Sequence, residues 1–168
     1  MNLDKIFSDE KYLEKELNFF INKKHIKTIT KNEKLIKAHI KKAKHNLKFY
    51  NKNKNEHEFE DWLIVILYYT LYHCALALIT NKEKMSKNHY ATILILIKEY
   101  NINKKEAKLI YELSINKEDA ELYTRLKEDR HNASYTTNTP FNKLKLKQYE
   151  TEIYEFINKT EEIIHKSN

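Results

Sequence analysis

The chain has 168 residues, with no glycine, a single proline and a single cysteine. A length in this range suits one domain that buries roughly 70% of the surface of its unfolded chain. Without glycine it cannot build a Walker A loop or a Gly-rich dinucleotide turn, where backbone must approach phosphate closely. It also lacks the residue that tight β-hairpin turns favour, so an all-α fold is expected, with no sheet. Lys and Arg total 31 against 24 Asp and Glu, a formal charge of +7. Residues 23–54 hold twelve lysines and one acid, Glu33, or +11, which leaves −4 for the rest.

Nothing at Met1-Asn2-Leu3-Asp4-Lys5 reads as a basic start followed by an apolar run. Cytoplasm is the expected location, and Cys74, within an apolar stretch, reads as a small buried hydrophobe. The chain is expected to be one helical domain over 1–168, an N-terminal extension (1–30) followed by a bundle core (31–166). Periodicity and caps predict helices near 8–21, 31–52, 58–80, 87–100, 104–114, 117–135 and 140–165. The cap signals are Thr30 with Glu33, Ser86, Asn103 with Glu106, Asn116, and Thr139 before Pro140.

The second predicted helix has two faces. Ile36, Ile40, Ala43, Leu47 and Tyr50 form a core stripe, and Lys34, Lys37, Lys41, Lys44 and Lys48 form an offset one. The lysine stripe suits a phosphate backbone through non-specific, salt-dependent contacts. It equally suits a solvated face in a lysine-rich chain. The near absence of acids across 23–54 brings the two readings level.

The next helix contains Trp62 to Ile79, 18 residues without a formal charge. That length reaches a membrane span. Tyr68, Tyr69, Thr70, Tyr72 and His73 in its middle would be costly in hydrocarbon, so the expected role is the central helix of a bundle, with no membrane partner. Tyr69, His73 and the later His89 are second-rank site candidates, since such residues are most often hydrogen-bonded parts of a core. The run Glu56-His57-Glu58-Phe59-Glu60-Asp61 better fits acids at a helix start than a ligand set, so no metal and no cofactor are assigned.

Only two of the 31 basic residues are arginine, and they stand five apart, as Arg125 and Arg130. Arginine supplies a planar, permanently charged fork that lysine does not. His131 can move protons near neutral pH. Two cations beside it would hold a phosphodiester and stabilise charge developing on phosphorus. These parts suffice for metal-free RNA cleavage with the ribose 2′-hydroxyl as nucleophile. An exposed helix end with i,i+4 ion pairs, Glu121–Arg125 and Arg125–Asp129, explains the same residues without chemistry.

Together, Tyr68-Tyr69-Thr70-Leu71-Tyr72-His73-Cys74-Ala75-Leu76-Ala77-Leu78, Lys87-Asn88-His89 and Arg130-His131-Asn132-Ala133-Ser134-Tyr135 resemble the HEPN superfamily, from about residue 33 to 165. The similarity is to its prokaryotic branch with a Tyr-Tyr-rich apolar helix. The resemblance implies an up-and-down bundle of about five to seven helices, usually a homodimer. It implies an RNA- or nucleotide-phosphate-binding protein, and, as in many members, a metal-independent endoribonuclease toxin paired with a nucleotidyltransferase-like antitoxin. The alternative is a non-catalytic nucleotide-binding or interaction module that pairs with such a nucleotidyltransferase. The family's Arg-x(4–6)-His motif fits Arg125 to His131. In a second alignment Arg130 opens the motif and Tyr135 stands at the histidine position, with Ser134 where an acid is common. Arg125, Arg130, His131 and Tyr135 are thus the candidate catalytic set.

Overall fold

An apolar helix with no charged side needs neighbours over most of its surface, and the rest of the chain supplies them. The structure, a computed structural model, describes residues 2–55, 60–114 and 143–167. In chain order these form α1 (Leu3–Ser8), α2 (Glu10–Asn22), β1 (Ile26–Thr28), α3 (Glu33–Asn53), α4 (Glu60–Asn81), β2 (Lys84–Ser86), α5 (His89–Tyr100), α6 (104–114) and α7 (Lys143–Lys166). The fold is an all-α helical bundle.

The segment Trp62–Asn81 of α4 is long and apolar enough to cross a membrane by length and composition, and 72% of its most apolar window is buried inside the protein. Leu67, Tyr68, Leu71, Cys74, Ala75, Ala77 and Ile79 are fully enclosed. The buried Thr70 and Thr80 hydroxyls donate to the carbonyls of Ile66 and Leu76, both at 2.8 Å, so neither leaves an unmet polar group. Cys74 is enclosed as expected, and burial pushes its thiol up to about 12.

Helices α3, α5 and α7 pack around α4. The α3–α7 pair is antiparallel, because partners on α7 rise in number as those on α3 fall. Lys54 meets Glu150 at 2.5 Å, Asn51 meets the Tyr154 hydroxyl at 2.6 Å, and Lys44 meets Glu161 at 2.6 Å. Helix α2 lies antiparallel to α5, with Lys98 beside Glu14 (2.5 Å) and the Tyr90 hydroxyl on Glu16 (3.0 Å). Ile6, Leu13, Leu17, Phe20 and Ile26 belong to the same core cluster as α4, so residues before 30 are part of one hydrophobic interior.

Several local expectations need correction. The helix expected over 8–21 is α2, and a further short helix, α1, precedes it; the extended backbone of Asp9 ends α1 while its carboxylate caps the Tyr12 N–H of α2. A two-stranded ribbon is present where no sheet was expected, pairing Ile26 with Ser86, Lys27 with Met85 and Thr28 with Lys84. Strands of three residues are too short to show alternation. The ribbon also displaces two caps. Ser86 is held in β2, and Asn88 caps α5 instead, accepting from Ala91 N–H at 3.0 Å. Thr30 follows β1, and Asn32 caps α3, accepting from Leu35 N–H at 2.9 Å. The Asn103–Glu106 capping box is formed in both directions, at 2.9 and 2.8 Å. The expected helix over 117–135 and the caps at Asn116 and Thr139 lie outside the described residues.

Lacking glycine, the chain places Lys24 (φ 58°), Glu83 (φ 55°) and Asn101 (φ 47°) in the left-handed region where helices end. Asparagine tolerates this well; lysine and glutamate carry a Cβ penalty there. Lys24→Gly and Glu83→Gly should each raise unfolding free energy by about 0.5–1 kcal/mol, the relieved strain exceeding the added freedom of the unfolded chain. Urea denaturation midpoints check this; a fall in both midpoints would contradict it.

Candidate functional site

Successive residues of an ideal helix turn by about 100°, so Lys34, Lys37, Lys41, Lys44 and Lys48 span a sector of about 80° centred about 120° from the apolar stripe of α3. Burying Ile36, Ala43, Leu47 and Tyr50 against the bundle therefore turns the lysines outward. All five are exposed. Lys44 is paired with Glu161. Among the described residues, Lys34, Lys37, Lys41 and Lys48 have no carboxylate at ion-pair distance. The result is a one-sign ridge about four turns long beside α7.

A second centre forms where α4 meets the start of α5. Asn88 caps α5 and so fixes the direction of His89, its first residue. The Tyr68 hydroxyl is hydrogen-bonded to Nδ1 of His89, with Nε2 of the same ring at 3.2 Å. Tyr72, one turn on from Tyr68, stacks on it at 5.6 Å and meets the His89 ring edge-on at 4.6 Å. Two separated sequence elements, the tyrosine-rich helix and Lys87-Asn88-His89, are thus one cluster. Sequence reasoning ranked Tyr69 as the tyrosine of interest; Tyr68 and Tyr72 are the ones placed on His89, and Tyr69 meets Tyr68 edge-on at 5.2 Å. The three tyrosines are neighbours in sequence, and periodicity alone does not say which face meets α5.

His73 turns toward α3 and meets His39, with their Nδ1 atoms 3.0 Å apart. Only a pair with one proton between the two nitrogens can make that hydrogen bond, so one ring donates and the other accepts. Both rings are half-buried. Burial lowers the His39 pKa; burial, the facing His39 and the Lys42 charge lower that of His73 to about 4. His39 was not a candidate from sequence. It sits beside the core stripe of α3, and only the α3–α4 register shows which residue it meets. Among the described residues, no group of three or more His, Cys, Asp or Glu side chains is placed to hold a metal ion.

Arg125, Arg130, His131 and Tyr135 lie outside the described residues. No family model matches the chain, and no curated protein matches it.

The histidine pair makes stability depend on pH. His73 titrates near 4 when folded against 6.5 as a free side chain. Between those values the unfolded chain holds more protons, so stability rises with pH across the window and levels off above it. Discounted for partial exposure, the gain should be on the order of 1–2 kcal/mol. Urea unfolding across that window should show this slope, and His73→Gln should flatten it. An identical slope in the variant would place the pH dependence elsewhere.

Proposed function

We propose that this protein is a HEPN-like RNA-binding bundle whose α3 ridge follows a phosphate backbone. One observation carries the reading: four of the five ridge lysines are exposed and without a carboxylate partner among the described residues. Surface lysines add little to folding when paired, but in series they release counterions from a polyanion and so bind it. The contacts are to phosphate, so sequence preference from this face is weak.

The catalytic part of the proposal rests on residues 125–135 and on the family resemblance. Arg125 or Arg130 would clamp the scissile phosphate. His131 would take the proton of the ribose 2′-hydroxyl and return one to the leaving 5′ oxygen, with Tyr135, four residues on in the sequence, as its relay. The products would be a 2′,3′-cyclic phosphate and a 5′-hydroxyl, with no metal required. The protein would act as a homodimer in the cytoplasm, with a nucleotidyltransferase-family protein as its antitoxin. If it does not cleave, the same phosphate-binding face fits a non-catalytic module paired with that partner.

Binding of labelled single-stranded RNA should weaken steeply with salt. Lys37→Gln, Lys41→Gln and Lys48→Gln together should reduce the slope of log affinity against log salt by about 2. An unchanged slope would reduce these lysines to solubility. RNA cleavage in EDTA should be abolished by His131→Ala with RNA affinity retained; absence of cleavage by the wild type would leave the non-catalytic module.

A further inference from the structure

Between α3 and α7 runs a groove of about 350 Å³ whose floor is Ile36, Ile40 and Ile164. Such a volume and an apolar lining are those of small-molecule sites rather than of a purely electrostatic surface. The charges on its rim sort themselves. Glu33 is held by Lys31 at 3.0 Å and Glu161 by Lys44 at 2.6 Å, so both acids at the groove are already neutralised. Lys37 and Lys41 also line it, one helical turn apart on the same face, with no such partner among the described residues. Two unneutralised cations therefore stand over an aliphatic slot.

We infer that this groove binds a small anionic amphiphile, a carboxylate or phosphate monoester bearing a medium-length alkyl chain. The tail lies on the three isoleucines and the head group sits between the Lys37 and Lys41 ammonium groups. A free inorganic anion would use only exposed cations, which are worth little in water. A cationic amphiphile would meet the wrong sign, and a neutral one would leave the lysines unused. The occupant would cover two lysines of the α3 ridge, so it would compete with RNA; that consequence alone rests on the function proposed above.

The test is calorimetric titration of the full chain, below micelle formation, with octanoate, decanoate, dodecanoate and dodecyl phosphate. Binding should saturate at one per chain and tighten about 4-fold per added methylene until the slot is filled. Lys37→Glu with Lys41→Glu should weaken it about tenfold or more. Ile40→Asp, checked for folding by circular dichroism, should remove the chain-length dependence. Inorganic phosphate and dodecyltrimethylammonium should not saturate. Equal binding of the cationic amphiphile, affinity independent of chain length, or unchanged affinity in the double lysine variant would each overturn the inference. So would light scattering in which the double lysine variant turns a dimer into a monomer, since a second copy would then occupy the groove. Loss of RNA binding with amphiphile binding intact would count against the RNA reading alone.

Discussion

The burial of α4 over most of its surface is the constraint from which the rest follows. A helix apolar around its circumference is stable in water only when other helices surround it. Here α3, α5 and α7 cover most of it, and their registers against α4 decide what else comes together. His73 meets His39 because α3 packs on one flank. Tyr68 and Tyr72 meet His89 because the start of α5 packs on another. Even the lysine ridge is a by-product of this packing, since turning the isoleucines of α3 inward leaves its lysines facing water.

That ridge is a poor contributor to folding, and its charge suits the polyanion binding proposed above. Like charges along one helix face repel, and among the described residues only Lys44 of the ridge is relieved by a carboxylate on α7. A chain that keeps twelve lysines and one acid over 23–54 carries this repulsion in the free state. A polyanion relieves it. The same surface has an apolar slot beneath two of its lysines, which would distinguish an anion with an alkyl tail from one without. The two proposed ligands differ in what they ask of the groove: one uses charge along its length, the other uses charge at one point and hydrocarbon beneath it.

Much of this was legible in the sequence. An uncharged run from Trp62 to Ile79, the alternation of isoleucine and lysine on α3, and the Asn103–Glu106 box are local signals, and each describes what the structure contains. What stayed hidden depends on pairing between distant segments. The ribbon joins residues 26–28 to 84–86, and neither strand is long enough to announce itself. Once formed, it takes Ser86 out of contention as a cap and passes that role to Asn88. His39 and His73 are 34 positions apart and acquire meaning only through the α3–α4 register. The choice between Tyr69 and its neighbours turned on a rotation of one residue, which periodicity on an all-apolar helix does not fix.

The central claim, that the α3 face is where a polyanion lies, is tested most directly by lysine footprinting. The chain is acetylated with and without single-stranded RNA, and the modified lysines are read by mass spectrometry. The account expects protection at Lys34, Lys37, Lys41 and Lys48, with Lys98 and Lys166, outside the ridge, reacting as before. Protection spread evenly over all lysines, or concentrated away from α3, would contradict it.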